Sequence, residues 1–387
     1  MPNAIRADEG RFSESFLAEI RRRTSLADLI GRDLPLQRSG REHKACCPFH
    51  AEKTPSFYVI EKKGLWHCFG CGANGDCFSW LTRYHDLDFR EAVEDLAREA
   101  GLLAPEPGKP ARPRKPPVER PTAAQLAEDE SREIERARAI FGEGREAAGT
   151  LVEAWLAARG IRVSEFGGVP PSLRFAPEMP YWVRRKTGRF ERIGAWPAML
   201  AGIQGPDRRI TGVHITYLSA DGTAKAPVPP HPDSGEALPR RKVRGAKAGG
   251  SIRFSPAART LVLGEGVETV LTARFIRPDL AAWSAVDLGN LAGNGLRGGD
   301  RRPHPERQGV WLPEVEPDPS RPGLVLPDEV EEVILLGEAV NGDPHAYACL
   351  FERACRRFAR QGKRVRAGIP PVGDFNDWLM SCMRRAA

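Results

Sequence analysis

Three cysteines and one histidine stand in two close pairs near the N-terminus. Cys47 and His50 form a C-x2-H pair, and Cys68 and Cys71 form a C-x2-C pair seventeen residues further on. A two-residue spacer lets a tight turn aim both side chains of a pair at one ion, and four such ligands suit tetrahedral Zn²⁺. Because this set leaves no open coordination position, the sequence predicts a structural zinc site.

Two further cysteines lie close to the array. Cys46 precedes Cys47 directly and Cys77 follows Cys71 by six residues. Either thiol is an alternative ligand or a small buried side chain, and Cys47 is preferred because it keeps the two-residue spacing to His50. Five of the eight cysteines fall within residues 46–77, which favours metal binding in a reducing compartment over a disulfide framework.

Carboxylates follow two apolar runs in the last third of the chain. Residues 260–264 lead to Glu265 and residues 333–337 lead to Glu338, and a helical pattern that begins at Pro344 comes next. Apolar runs that alternate with helices are typical of a parallel α/β sheet, whose sites lie at the carboxyl ends of the strands. Paired carboxylates there usually hold Mg²⁺. The alternative for any one acid is a helix cap or a surface position.

Basic and aromatic residues suggest contacts with nucleic acid in two places. Near the cysteine array, positively charged residues alternate with aromatic residues. Binding of single-stranded nucleic acid requires both, because charge tracks the backbone and rings stack on bases. The residues are Lys53, Tyr58, Lys62, Lys63 and Trp66. A second basic cluster consists of Arg240, Arg241, Lys242, Arg244 and Lys247. We expect this cluster to form a flexible loop that contacts phosphates. An exposed, solvated loop explains such a run of charges equally well. Of the aromatic residues near the cysteine array, Phe57 and Phe69 are expected to lie in a small core.

Composition limits the whole chain. Its 387 residues and 41% hydrophobic content predict two or three globular domains. A formal charge of +7 favours an acidic partner such as nucleic acid. No apolar run approaches the roughly 20 residues of a membrane span, and the N-terminus lacks the apolar core of a signal peptide. We therefore expect a cytoplasmic protein without a membrane partner.

The element patterns predict a multidomain α+β chain. Asp88 and Glu91 form a capping box at the start of a helix that Gly101 ends. Further patterns predict helices at 123–141 and 150–159 and strands at 210–218 and 364–369. The expected regions are a zinc-binding domain at 1–103, a Pro/Arg-rich linker at 104–121, a helical and mixed α/β region at 122–255 and a parallel α/β domain at 256–387.

The segments around the zinc ligands resemble, nearly residue for residue, the zinc ribbon of bacterial DnaG-type primases. The likeness spans about residues 12–103 and is carried by CPFHAEKTPSF at 47–57 and WHCFGCGANGD at 66–76. In that family the ribbon sheet binds single-stranded template and helps to choose where a primer starts. The resemblance implies the same role here.

The last third resembles the Toprim domain, the metal-binding catalytic module of DnaG-type primases and of type IA and type II topoisomerases. It is most similar to the Toprim primases of mobile elements and phage-like regions, through LGEGVET at 263–269, LLGE at 335–338, NGDP at 341–344 and PPVGDFNDWL at 370–379. The resemblance implies that Glu265 lies near the catalytic metals with an acid/base role.

One departure from the Toprim pattern concerns the metal site. The usual Asp-x-Asp is replaced by Glu338, Ala339 and Val340. Glu338 keeps a carboxylate, whereas valine cannot ligate a metal, and Asn341 or Asp343 is then expected to supply the missing oxygen. A site of this kind should bind Mg²⁺ or Mn²⁺ more weakly, so polymerisation is expected to be slow, dependent on manganese or absent.

The leading hypothesis is a DNA primase that makes short primers from nucleoside triphosphates on single-stranded DNA, with Glu265, Glu338 and Asp343 at the metal site. The chain ends soon after Asp377, so we expect any replicative helicase to be coupled through a separate partner. The alternative is a catalytically impaired relative that binds single-stranded DNA. A Toprim nuclease or topoisomerase fits less well, because nothing around the five tyrosines indicates a cleavage nucleophile.

Overall fold

The computed structural model describes residues 12–386 except 41, 50–54, 69–72, 104–122, 186–188, 297–301, 308–309, 322 and 340–341. The chain forms two compact units, Met1–Ala124 and Gln125–Ala387. His50, Cys71, Lys53, Phe69, Asn341 and the predicted linker lie outside the described residues. Within the described residues, no helix has the length and apolar character needed to cross a membrane.

The first unit is a small sheet covered by helices. Its elements are α1 (Glu14–Arg23), α2 (Leu26–Gly31), β1 (Gln37–Ser39), β2 (Glu42–Ala45), β3 (Phe57–Ile60), β4 (Leu65–Cys68), β5 (Asn74–Gly75), α3 (Cys77–Tyr84) and α4 (Phe89–Glu99). The strands pair antiparallel in chain order. The Asp88–Glu91 capping box at α4 is confirmed, and Phe57 lies in the core, as predicted.

The core of this unit is built from stacked aromatic rings. Trp66 lies between Phe49 and Phe57, with ring centroids 5.4 Å from each, and Trp80 packs edge-on against it at 5.8 Å. Trp66 is fully buried, and its indole N–H donates to the carbonyl of Asp76 at 3.0 Å. The prediction that Trp66 stacks on nucleic acid is therefore wrong, because its ring faces the interior of the unit.

The second unit is organised around one ten-stranded sheet. Its elements are α5 (Ala123–Glu143), β6 (Arg145–Glu146), α6 (Leu151–Ala158), β7 (Leu173–Arg184), β8 (Phe190–Gln204), β9 (Ile210–Tyr217), β10 (Arg241–Gly245), β11 (Ser251–Arg253), β12 (Thr260–Gly264), α7 (Val267–Ile276), β13 (Ala281–Ser284), α8 (Leu288–Ala292), β14 (Glu332–Leu336), α9 (Pro344–Arg360), β15 (Arg364–Gly368) and α10 (Phe375–Ala386). The predicted helices and strands of this unit are confirmed within one or two residues.

The sheet has an antiparallel half and a parallel half. The main order is β10-β9-β8-β11-β13-β12-β14-β15, with β7 also paired to β8. Strands β13, β12, β14 and β15 run parallel, and β11 joins them to β8 through antiparallel pairing on both sides. The predicted mixed α/β fold with a C-terminal parallel sheet is therefore confirmed. The four parallel strands end at one edge of the sheet.

The basic cluster of residues 240–247 is not the flexible loop that the sequence predicts. Arg241–Gly245 form the edge strand β10, paired with β9 from Arg241 opposite Thr216 to Gly245 opposite Gly212. Side chains alternate between the two faces of a strand. The cluster is therefore divided between two different environments.

Candidate functional site

An acid follows each of the four parallel strands at the same edge of the sheet. Glu265 comes after β12, Asp287 after β13, Glu338 after β14 and Asp374 after β15. Three of them, Glu265, Glu338 and Asp374, line one cleft of about 240 Å³. Its other lining residues are His214, Arg241, Ile252, Gly266, Val267, Glu268, Ser284 and Val286.

The loops that carry these acids are tightly held. The hydroxyl of Ser284 donates to the carbonyl of Glu265 at 2.7 Å and accepts the N–H of Val286 at 3.1 Å. Val286 has φ +75°, an unfavourable conformation for a β-branched residue. Strain of this kind persists where the surroundings impose it and is concentrated at functional sites.

The electrostatics of the cleft follow from burial and from mutual repulsion of the acids. Burial first, and then the charges of Glu338 and Asp287, raise the pKa of Glu265 to about 7. Burial and then Asp374 raise the pKa of Glu338. A cation in the cleft would relieve both the burial penalty and the repulsion.

The donor set is suited to a hard cation. Carboxylate oxygens are the protein ligands of Mg²⁺, which is usually held by one or two carboxylates together with water and substrate phosphates. In the described ranges, no three His, Cys, Asp or Glu side chains stand close enough to form a ready metal-binding group. Carboxylates of this kind fit a hard cation only if water and phosphate oxygens complete its shell.

Asp343, which was predicted as a metal ligand, does not line this cleft. Its Oδ1 caps α9 by accepting the N–H groups of His345 and Ala346 at 3.1 and 3.0 Å. Its Oδ2 lies 3.0 Å from Nε2 of His304 and 2.9 Å from the guanidinium of Arg307. Both oxygens are occupied, and Asp374, rather than Asp343, joins Glu265 and Glu338 in the cleft.

The basic cluster reaches the cleft through Arg241. Its Nη2 donates to Oε1 of Glu268 at 2.8 Å. Lys242 points to the other face of the sheet, where Nζ lies 3.4 Å from the ring centroid of Tyr181 and donates to the carbonyl of Trp182 at 2.8 Å. Burial lowers the pKa of Lys242 to about 8. The other three residues of the basic cluster lie outside the cleft. Lys247 forms an ion pair with Asp287, and Arg240 is exposed. Arg244 lines a separate groove beside β7 and β9.

A basic and aromatic surface on the β7–β8 hairpin was not predicted from the sequence. Trp182 pairs with Arg192, and Arg184 pairs with Phe190, so the four side chains share one face of the hairpin. The rings are 44% and 64% exposed. The signal in the sequence was a pair of β-prone runs with aromatic and arginine residues at alternate positions.

The first unit brings two predicted zinc ligands to one end of its sheet. Ala45, Phe57 and Cys68 lie side by side on β2, β3 and β4, and Cys47 follows Ala45 by two residues. Cys47 and Cys68 are both buried, and the N–H of Phe49 donates to Sγ of Cys47 at 3.4 Å. A backbone N–H in this position favours a thiolate, which is the metal-binding form of cysteine. The described part of the array therefore fits zinc.

Cys77, the alternative ligand, is held in a different environment. It is the first residue of α3 and is 4% exposed. Burial and the neighbouring Asp76 raise the pKa of its thiol to about 12. Cys77 is therefore a core thiol, and Cys46 is exposed.

The outer face of the small sheet carries the remaining predicted contacts of the first unit. Lys44, Tyr58 and His67 lie opposite one another on adjacent strands, on the face away from Phe57 and Trp66. Lys62 and Lys63 are exposed beside them, in a short 3-10 helix. This face combines an aromatic ring with positive charge.

Comparisons with known proteins agree with the resemblance drawn from the ribbon segments. Residues 12–109 match the family model described as CHC2 zinc finger, and residues 131–254 match a domain of unknown function, DUF7146. A DNA primase of Pasteurella multocida is 44% identical over 102 residues, 26% of this chain and 18% of that protein. A DNA primase of Myxococcus xanthus is 38% identical over 182 residues, 47% of this chain and 27% of that protein.

The chain therefore matches less than a third of the length of these curated relatives. Among solved structures, the zinc-binding and RNA polymerase domains of the Aquifex aeolicus primase are 17% identical, with coverage of 97% of this chain and 85% of that one and a TM-score of 0.35.

Proposed function

We propose that this protein is a DNA primase. Residues 12–109 match the CHC2 zinc-finger model, and curated DNA primases are similar to the chain over about the same region. The protein would synthesise short primers from nucleoside triphosphates on single-stranded DNA. The observation that carries the proposal is the convergence of Glu265, Glu338 and Asp374 in one cleft at the carboxyl edge of the parallel sheet.

Each part of the chain would have its own task. Cys47, His50, Cys68 and Cys71 would hold one structural zinc ion, and the face of Lys44, Tyr58 and His67 would contact the template, together with Lys53, Lys62 and Lys63. In the second unit, the exposed face of the β7–β8 hairpin would bind template bases by stacking and phosphates by charge. Arg240, Arg244 and Lys247 remain candidates for phosphate contacts. Residues 256–387 would form the Toprim domain.

Nucleotidyl transfer needs positive charge at the phosphates and a route for one proton. Glu265, Glu338 and Asp374 would hold Mg²⁺ or Mn²⁺, which orients phosphates and stabilises their developing charge. The attacking 3′-oxygen forms a bond to the α-phosphorus, and the bond to pyrophosphate breaks. The proton of the 3′-hydroxyl would pass to Glu265, to which the Toprim resemblance gives an acid/base role beside the metals, or to water.

The test is primer synthesis on single-stranded DNA with labelled nucleotides, in Mg²⁺ and in Mn²⁺, for the wild type and Glu265→Gln. Short products from the wild type that disappear in Glu265→Gln are expected. The matched control is Glu331→Gln, which changes an exposed glutamate next to the opposite end of β14 and should leave synthesis intact.

A second candidate is a primase-like protein that binds single-stranded DNA without polymerisation. It is favoured by the replacement of Asp-x-Asp by Glu338, Ala339 and Val340. Retained binding of single strands with no primers in either metal would support this candidate and contradict the first.

A further inference from the structure

One guanidinium stands among the acids of the cleft. Arg241 is the only Lys or Arg among the described residues that line it. It comes from β10, at the far edge of the antiparallel half of the sheet, whereas the acids follow strands of the parallel half. The tertiary structure therefore places a fixed positive charge where the sequence indicates only carboxylates.

The position of this charge is set by a buried partner. Nη2 of Arg241 lies 2.8 Å from Oε1 of Glu268, whose side chain is 5% exposed in the first turn of α7. Within the described part of the chain, the guanidinium makes no other hydrogen bond, and 42% of the Arg241 side chain stays exposed. Its remaining N–H donors are therefore available to a ligand.

Arg241 also changes the charge balance of the cleft. Its positive charge lines the same cleft as Glu265, Glu338 and Asp374 and opposes the mutual repulsion of these acids. The sequence has valine at position 340, where the Toprim pattern has a second aspartate. The sequence thus lacks one carboxylate of that pattern, and the cleft has one permanent cation of its own.

We propose that Arg241 is a built-in cation that binds the triphosphate of the incoming nucleotide and takes the place of one divalent ion. The cleft then holds one Mg²⁺ or Mn²⁺ where two-metal polymerase sites hold two. This inference rests on the proposed function.

The chemistry of a guanidinium supports this role. Its planar N–H groups match two phosphate oxygens at once, with a charge-assisted bond that persists at any working pH. As the 3′-oxygen bonds to the α-phosphorus and the α–β phosphoanhydride breaks, negative charge grows on the departing pyrophosphate. Arg241 stabilises that charge, and the hydroxyl proton leaves through Glu265 or water.

The experiment measures two affinities on the full zinc-loaded chain. Mn²⁺ binding is followed by loss of the free-ion EPR signal, and binding of a non-hydrolysable nucleoside triphosphate is followed by calorimetry. We expect one Mn²⁺ per wild-type chain. Arg241→Gln should bind Mn²⁺ about threefold tighter or more, because a repelling charge is gone, and the triphosphate about tenfold weaker or more.

Opposite changes in the two affinities separate this role from a structural one, which would weaken both. The double variant Arg241→Gln, Glu268→Gln leaves no unpaired buried carboxylate and should show the same two changes in affinity. Arg241→Lys keeps a positive charge and should recover part of the triphosphate affinity. Arg259→Gln removes one charge beside the opposite end of β12 and should change neither affinity.

Two Mn²⁺ ions or none on the wild type, or parallel or absent changes in Arg241→Gln, would overturn the proposal. These readouts need no turnover. A protein that makes no primers but shows the opposite affinity changes would contradict the proposed primase function, while the binding of triphosphate by Arg241 in place of a divalent ion would stand.

Discussion

Nε2 of His304 lies 3.0 Å from Oδ2 of Asp343, at the point where Oδ1 of the same carboxylate caps α9. His304 is 5% exposed, and its Nδ1 accepts the N–H groups of Glu306 and Arg307 at 3.1 Å each. This contact joins the loop that contains His304 to the start of α9. Asp343 therefore has a structural task that accounts for both of its oxygens.

Asp343→Ala should destabilise the second unit and lower its denaturant midpoint, from loss of the helix cap and of a partly buried hydrogen bond. Denaturant titration of the second unit's transition measures this cost. Mn²⁺ affinity should be unchanged, because the side chain lies outside the cleft. Unchanged stability with weaker Mn²⁺ binding would instead indicate the metal-ligand role that the sequence predicted.

Mn²⁺ binding should depend on pH through Glu265. Its pKa is raised to about 7, so below pH 7 a proton competes with the metal. We expect the affinity for Mn²⁺ to rise by up to about tenfold per pH unit below pH 7 and to level off above it. Titrations from pH 5.5 to 8.5 test this, and Glu265→Gln should bind more weakly with a flatter profile. Equal slopes for both proteins would show that another group controls the competition.

His214 should make folding less favourable in acid. Burial, and then Arg241, lower its pKa from the model-peptide value of 6.5 to about 4. Between these two values the unfolded chain binds a proton that the folded chain does not, so stability is lost as pH falls from about 6.5 to 4. The loss should reach about 2 to 3 kcal/mol.

His214→Gln should remove that part of the pH dependence, as measured by denaturant titrations at pH 4.5, 5.5 and 7. His231→Gln is a suitable control, since that histidine is only partly buried in a loop. A slope that His214→Gln leaves unchanged would contradict a buried neutral imidazole.

Zinc should stabilise the first unit through Cys68. Protein purified without chelator is expected to carry one zinc ion per chain. Cys68→Ser should lose the zinc, and the small sheet should then unfold, because the free energy of metal binding stabilises the fold of such domains. Cys77→Ser should keep the zinc, since that thiol lies in the core. Metal analysis with circular dichroism tests both. Retention of zinc by Cys68→Ser would require a different ligand set.

The β7–β8 hairpin should bind bases. Trp182→Ala or Phe190→Ala should weaken binding of a short single-stranded oligonucleotide roughly tenfold, since base stacking contributes about 1 to 3 kcal/mol per base. Binding of an abasic oligonucleotide should be unaffected by either change. Trp378→Ala alters a comparably exposed ring on α10 and is the control. Equal losses for all three variants would exclude a specific role for the hairpin.

Local spacing and apolar periodicity were enough to predict the strands that lead to Glu265 and Glu338 and most helix boundaries. Which acids meet depends on tertiary contacts. The parallel pairing of β15 with β14 brings Asp374 beside Glu338, although 36 residues separate them in the chain, whereas Asp343, five residues from Glu338, is held elsewhere by His304.

Tertiary structure also decided the direction of side chains. The basic cluster looks uniform in the sequence, but its pairing with β9 makes it a strand, so Arg241 enters the cleft while Lys242 covers Tyr181 on the other face. In the sequence, Trp66 likewise looks available for stacking on nucleic-acid bases. The register of β3 and β4 places its side chain on the core face of the sheet instead. A spacing specifies which residues can share a face, but the elements packed against that face decide whether it meets solvent, a ligand or the interior.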